Sequence, residues 1–415
     1  MADDLMTELS DWLDANWDPK LTVAEWWQIL ADSGYAKPSL PENAGGKGWS
    51  QGQETAAMRL MASKDVLGPP PGLGFMLAAP TIAAHGSQEQ IDRYIPKILN
   101  GQQAWCQLFS EPAAGSDLAG LQTKAERDGD QWQVTGQKVW TSQGHAADLG
   151  MLIARTDPDQ PKHRGMTYFV MDMHQDGVDV RPLKEMTGRT FFSEVFMDDA
   201  WVNESDRLGD HGDGWRVANT TLTVERTSIG TGSTGVAMAA PGQRMDSFDR
   251  VAGDVVAKSK ESRAEGHAPG VGMKLFDRYL QLARKLGKAE EPTMRQDLVK
   301  LYTMLQVNRL NMQRARVKSQ RTGGEPNIAK LWNGEHHRQF RDLGMRIIGA
   351  DGMLAATSST TDPAVVNVAL NAQAPPIYGG TDQIQRNIIG ERVLGLPKEP
   401  GIDRMTPFSE LPKNQ

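Results

Sequence analysis

The residues of this chain best spaced to do chemistry run from Trp105 to Asp117, in the order Trp-Cys-Gln-Leu-Phe-Ser-Glu-Pro-Ala-Ala-Gly-Ser-Asp. The first half alternates and carries aromatics, the pattern of a strand. The second half holds proline, glycine and small hydroxyl residues, the composition of a tight loop leaving that strand. Such a loop exposes backbone N–H groups and hydroxyls with no bulky side chain in the way, which suits a planar, polar ligand. A strand that simply turns over has the same composition. Two acids stand inside the stretch, Glu111 beside Pro112 and Asp117. Both are read as fixing the loop by accepting backbone hydrogen bonds. His145, His336 and His337 have no metal-ligand partners at suitable spacing, so no metal is expected.

The rest of the composition bounds what surrounds this stretch. A chain of 415 residues exceeds one typical core, so two or three domains are expected. A net charge of −7 argues against a nucleic-acid-binding surface. There is no run of about 18 apolar residues, and Met1-Ala-Asp-Asp-Leu lacks the basic and apolar regions of a signal peptide. A cytoplasmic protein without membrane insertion is therefore expected. The single cysteine, Cys106, excludes an intramolecular disulfide and a thiolate metal cluster. Eleven tryptophans and twenty methionines (Trp 11, Met 20) point to large apolar contacts.

Three segments must position the chemistry. Residues 1–103 read as an all-α domain: Leu5, Leu9, Trp12 and Leu13 keep helical spacing, Val23 to Leu30 adds a second stripe, and Ser87 caps a helix with Glu89 and Gln90 in its first turn. Residues 104–208 change to short alternating runs. Thr123–Arg127, Asp128-Gly129 and Trp132–Thr135 give a hairpin, and strands are expected over 151–155, 166–173, 178–183 and 194–202, forming a sandwich or barrel. Residues 209–415 return to helices, expected to begin at Trp215 (toward Ser247), Leu298, Pro326, Asp362 and Gln383, with polar Val251–Gly272 read as a loop or frayed insertion. Helices, then strands, then helices make an α–β–α plan, and no G-x-G-x-x-G or Walker loop follows a strand.

With these segments in order, the chain resembles the acyl-CoA dehydrogenase family over nearly its whole length. Gly34–Gly48 resembles the family's Pro-x-x-Pro-Glu-x-x-Gly-Gly loop, Ser110–Asp117 its first signature, Gly136–Gly144 its flavin-side strand, and Tyr378–Arg386 its C-terminal active-site segment. The resemblance implies an α+β multidomain fold: an N-terminal helical domain, a central antiparallel β domain and a C-terminal four-helix bundle, with FAD between them and across a subunit boundary. It implies that Gln107, Phe109 and Ser110 lie along the flavin, that Trp140 stacks over it, and that Ser142 bonds near its reactive edge. These amides, hydroxyls and the indole suit the ring chemically. Ser116 matches the lining of the acyl-CoA entrance, and Thr381 and Gln383 match FAD contacts from the last domain.

The chain departs from the family pattern in two places. The pyrophosphate-binding Arg-x-x-Phe segment is degraded, leaving Arg284 and Arg295 as candidates to neutralise the FAD phosphates. The Gln-x-x-Gly-Gly contact to the other subunit's FAD appears as Arg346-Ile-Ile-Gly-Ala, with Arg346 in place of an amide.

Oxidising an acyl thioester needs a carboxylate for the α-proton while a β-hydride passes to flavin N5. In much of the family that carboxylate follows the tyrosine of the C-terminal segment, but here Tyr378 is followed by Gly379. A second placement in the family, on the first long helix of the last domain just before an arginine, matches Glu225-Arg226. The expectation is thus an FAD-dependent acyl-CoA dehydrogenase with Glu225 as base. Arg226, Tyr378 and Gly379 line the substrate, and an electron-transfer flavoprotein is the acceptor. The space left by Gly379 points to a branched, cyclic or bulky acyl group. A homo-oligomer (dimer or tetramer) or a heterotetramer with a paralogue is expected. The rivals are a non-catalytic or half-catalytic subunit of a heteromeric dehydrogenase, and a flavin oxidase or monooxygenase on the same fold.

Overall fold

The structure, a computed structural model, describes residues 2–230, 245–264, 271–315, 317, 319, 321–354, 362–398 and 405–412. Five helices come first: α1 (Ala2–Asn16), α2 (Val23–Asp32), α3 (Gln51–Ser63), α4 (Ala79–His85, entered through a π turn at Gly74–Ala78) and α5 (Gln88–Leu99). Three of them start at capping boxes, Thr22 with Glu25, Ser50 with Gln53, and Ser87 with Gln90. Gln90 has a second task. Its amide donates to the Ser205 and Arg207 carbonyls at 2.8 Å each, fastening α5 to the β domain. The tryptophans that composition pointed to are core here: Trp26 and Trp27 bury their rings and donate their indole N–H groups to the Leu67 and Gly68 carbonyls.

The strands are β1 (Trp105–Leu108), β2 (Lys124–Asp128), β3 (Gln131–Ser142), β4 (Leu149–Arg155), β5 (Met166–Asp172), β6 (Val178–Leu183), β7 (Phe192–Asn203) and β8 (Arg207–Leu208). They form one sheet in the order β6-β7-β3-β2-β4-β5-β8, with β1 joined to β4. The hairpin at Asp128-Gly129 is present, Lys124 facing Thr135 and Asp128 facing Gln131. The pairing is mostly antiparallel, but β1 runs parallel to β4, Trp105 opposite Leu149 and Leu108 opposite Leu152. No local turn signal marks that pair, because the parallel partner arrives through a long crossover. Strands β4 and β5 are apolar on both faces. Met151, Ile153, Tyr168 and Val170 face the N-terminal helices, while Leu152, Ala154, Phe169 and Met171 face the core under β3 and β7.

The last segment holds α6 (Gly214–Gly230), α7 (Met245–Phe248), α8 (Ala252–Ala264), α9 (Met273–Lys285), α10 (Pro292–Arg314), α11 (Glu325–Ile348), α12 (Pro363–Asn371) and α13 (Asp382–Ile388). The expectation of a loop over 251–272 is corrected: Ala252–Ala264 is helical. Its residues favour helix without making an apolar stripe, and it docks by backbone, Ala252 and Gly253 donating to the Leu21 and Pro19 carbonyls. Helix α9 went unread, although Leu275, Phe276, Tyr279 and Ala283 form its buried stripe. The continuation of α6 toward Ser247 falls on 231–244 and lies outside the described residues. Helix α6 is the shared element, packing on α4, on β4 and β5, and on α11. Among the described residues no helix is long and apolar enough to cross a membrane.

Candidate active site

Strand β1 delivers alternate side chains to opposite sides, and this decides what each of its residues can do. Cys106 and Leu108 are buried in the core under β3 and β7. Phe109 is buried on the other side against Tyr168, ring centroids 5.9 Å apart and nearly perpendicular. The Phe109 side chain is therefore core, and what that residue can offer a ligand is backbone. Gln107 is half-buried, and its amide Nε2 donates to Glu225 Oε2 at 3.4 Å. Ser110 is half-buried at the strand end, and Ser116 is exposed on the loop.

A buried ion pair holds the loop. Glu111 accepts the Gln122 and Thr123 N–H groups at 2.7 and 2.9 Å and the Lys138 ammonium at 2.9 Å. Lys138, fully buried, also donates to the Phe109 carbonyl at 3.0 Å. Burial works against the ionised Glu111, but Lys138 and the N–H donors outweigh it and hold its carboxyl below the ordinary range. Glu111 thus fixes the loop by the backbone bonds expected of it. Asp117 does so differently: its carboxylate pairs with Lys162 at 2.7 Å.

Strand β3 carries the next piece. Its register against β7 slips between Lys138 and Thr141, and in this bulge Trp140 takes φ +59°. A bulky residue at positive φ is strained by about 1–3 kcal/mol, a cost that clusters at ligand sites. The bulge turns the indole outward, 61% exposed, and Phe192 braces it edge-on at 5.7 Å. The Val139 N–H donates to the Ser110 carbonyl at 2.9 Å, so the bulge and the β1 loop are one wall. Beside the indole, Thr141 is buried with its hydroxyl unpartnered, and Ser142 is half-buried. An exposed, braced indole with the half-buried hydroxyls of Ser142 and Ser110 on the same wall fits a planar heteroaromatic ring such as a flavin.

Glu225 comes from α6 and is positioned from one turn below. Thr221, buried, meets Thr81 of α4 at 2.9 Å and Tyr168 of β5 at 3.2 Å through its hydroxyl. That triad pins α6 to two other elements on the face that Thr221 shares with Glu225. Burial pushes the Glu225 carboxyl above its ordinary 4.5, against the opposing pull of Gln107 and Arg226. Arg226 does not bond to its neighbour; its guanidinium reaches Thr223 at 3.4 Å. A half-buried carboxyl with a raised pKa and one amide donor is suited to taking a proton near neutral pH.

The C-terminal segment closes on a turn. Gly379 and Gly380 have φ +63° and +86°, a left-handed pair that gives a backbone reason for glycine besides space. Tyr378 is partly exposed beside them. Thr381 caps α13, its hydroxyl accepting the Ile384 N–H at 3.2 Å, and Gln383 is exposed. Arg284 and Arg295 lie together on an open groove of about 540 Å³ whose floor includes Phe276, Leu298 and Tyr302. Arg346 stands apart, in an ion pair with Asp297 of α10.

The three histidines singled out in the sequence pack locally, although the buried Nε2 of His336 has no hydrogen-bond partner. His145 faces Ser193, His337 bonds the Asn333 carbonyl at 2.8 Å, and buried His336 sits on Trp332 with its pKa lowered by burial to about 4. Among the described residues no group of His, Cys, Asp and Glu could hold a metal. Sequence reasoning missed Thr221, Tyr168 and Lys330.

Comparison with known proteins agrees along the chain. The acyl-CoA dehydrogenase N-terminal domain matches residues 2–102, the middle domain 106–200 and the C-terminal domain 266–394. The acyl-CoA dehydrogenase IpdE1 of Mycobacterium tuberculosis (strain ATCC 25618 / H37Rv) is 35% identical over 378 residues, 90% of this chain and 88% of that protein. FadE34 of the same organism is 36% identical over 372 residues, 89% of this chain but 46% of that longer protein. Among solved structures, the Tcur3481-Tcur3483 steroid ACAD superposes with a TM-score of 0.68 at 24% identity, covering 96% of this chain and 98% of that one. The chain therefore belongs to the acyl-CoA dehydrogenase family and is an oxidoreductase.

Proposed function

We propose that this protein introduces an α,β double bond into an acyl-CoA thioester, with Glu225 as the base and FAD as the cofactor. The observation that carries the reading is the placement of Glu225. It is half-buried, its carboxyl lies above 4.5, and it is held at 3.4 Å by Gln107 from the strand that leads into the cofactor wall. FAD, when bound, supplies the hydride acceptor. Everything else falls to the chain. Trp140 covers one face of the ring, Ser142 and the backbone around Ser110 bond its polar edge, and Thr381 and Gln383 approach from the last domain. The Glu225 carboxylate takes the α-proton, and the raised pKa makes it a stronger base than an exposed glutamate. Gln107 holds that carboxylate and stabilises its charged form. Arg284 and Arg295 share one groove and are the better phosphate candidates; Arg346, already paired with Asp297, is the weaker.

The acyl group is branched, cyclic or bulky. Support comes from Gly379, which carries no side chain into the segment where a glutamate stands in much of the family, and from the steroid substrate named for one structural relative. An electron-transfer flavoprotein is the acceptor. The runner-up is a non-catalytic or half-catalytic subunit of a heteromeric dehydrogenase, favoured by two facts: the chain matches only about half of FadE34's length (46%), and the Tcur3481-Tcur3483 steroid ACAD is named for two chains. Purification of the chain alone, followed by flavin analysis and a panel of straight-chain, branched and ring-bearing acyl-CoAs, separates the two. Flavin bound and reduced by a ring-bearing thioester supports the proposal. A flavin-free chain that gains cofactor only with a paralogue favours the runner-up.

A further inference from the structure

Asn327, Lys330, Gly334 and Arg338 recur at i, i+3, i+7 and i+11 along α11 and so share one face. A helix normally turns an apolar stripe to its neighbour. This face, turned to α13, is polar and largely buried. Lys330, 2% exposed, donates its ammonium to the Pro375 carbonyl at 2.6 Å and lies 3.7 Å from Asp382 Oδ1. Asp382, 4% exposed, takes Arg338 on its other oxygen at 2.9 Å. Asn327 donates to Gln385 Oε1 at 2.6 Å, which orients the Gln385 amide to donate to the Gly379 carbonyl at 3.0 Å. Gly334 gives this arrangement room, since a Cβ there would stand 3.1 Å from Asp382 Oδ1.

Burying an ammonium costs several kcal/mol before its partners offset it, and a well-packed apolar pair often does as well for stability. What the polar arrangement adds is location. Two carbonyls of one turn, Pro375 and Gly379, are each held by a buried side chain, in addition to the turn's own backbone bonds, Ile377 and Tyr378 donating back to the Ala374 carbonyl and Asp382 donating to the Pro376 carbonyl.

We propose that Lys330, with Gln385 as its second arm, is a positioning residue that fixes the Pro375–Thr381 turn and so presents Tyr378 and Gly379 as a preformed wall to the acyl group. The proposal rests on the acyl-CoA reading of the site for the identity of the ligand, but not for the tether itself.

The test compares Lys330→Met, the charge-balanced double variant Lys330→Met/Asp382→Asn, and Leu343→Ala, a cavity in the same helix away from the turn, all as full-length flavin-loaded protein. Lys330→Met lowers Tm, speeds hydrogen exchange over residues 377–382 and raises KM for the acyl-CoA about tenfold with kcat within about threefold, the split expected when a binding wall and not the chemistry is disturbed. The double variant recovers Tm, because the buried cluster is again charge-balanced with Arg338 still held by Glu335, yet keeps the fast exchange and the high KM, because the Pro375 tether is still missing. Leu343→Ala lowers Tm without moving either. Recovery of exchange and KM together with Tm in the double variant overturns the proposal, as does wild-type exchange in Lys330→Met. Should no acyl-CoA reduce the wild-type flavin, the function proposed above fails, while the exchange comparison still decides the tether.

Discussion

Gln107 on β1 donates its amide to Glu225 on α6 at 3.4 Å, joining the strand of the cofactor wall to the helix of the base. The bond favours the charged carboxylate while burial disfavours it, and burial wins. Activity should therefore fall as pH drops through a pKa above 4.5. Gln107→Leu removes the donor, so the acid limb of the kcat profile should move to higher pH. An unmoved or downward-shifted limb would show that Gln107 does not set this carboxyl.

The same raised pKa has a consequence for stability. Between 4.5 and its folded value Glu225 binds more protons folded than unfolded, so stability falls as pH rises through that window. Glu225→Gln should raise the Tm of the flavin-free protein at neutral pH, with the gain shrinking on acidification. A variant less stable than wild type across that range contradicts the burial of a strained base.

Trp140 separates the demands of folding and binding. Its φ of +59° suits glycine, so Trp140→Gly should stabilise the flavin-free chain or leave it unchanged, whereas Trp140→Ala keeps the strain. Both lose the stacking face, and both should retain less flavin per chain after gel filtration. Full flavin retention in both variants would remove the indole from the cofactor wall.

The hydroxyl triad beneath Glu225 gives a graded series. Tyr168→Phe deletes one end, while Thr221→Val leaves the Thr81 and Tyr168 hydroxyls both buried without Thr221. Each unmet group costs about 1–3 kcal/mol, so Thr221→Val should lose more stability in urea unfolding than Tyr168→Phe, and more kcat. Equal losses would mean that Thr221 does not hold α6.

How much of this was legible depends on whether the signal was local. The capping box at Ser87, the Asp128-Gly129 hairpin and the stripes of α1, α2 and α10 are local patterns, and the strand runs are too. Helix α8 was misread because its stability comes from propensity and from backbone bonds to Leu21 and Pro19, neither of which leaves a periodic stripe. The site was legible as motifs but not as geometry. Glu225 and Gln107 lie 118 residues apart, and nothing local says that one amide points at the other. Phe109 shows the converse, a motif residue whose side chain the strand's alternation sends into the core. Lys330 and Thr221 act through distant partners and left little trace in the sequence.

The central claim is that Glu225 removes the α-proton. Its most direct test is anaerobic titration of the flavin-loaded protein with a ring-bearing acyl-CoA, following the oxidised-flavin absorbance. Wild type should bleach, and Glu225→Gln should bind the thioester, seen as a perturbed flavin spectrum, and slow bleaching by about 100-fold or more, the range for loss of a general base. Bleaching of Glu225→Gln at the wild-type rate would contradict the account.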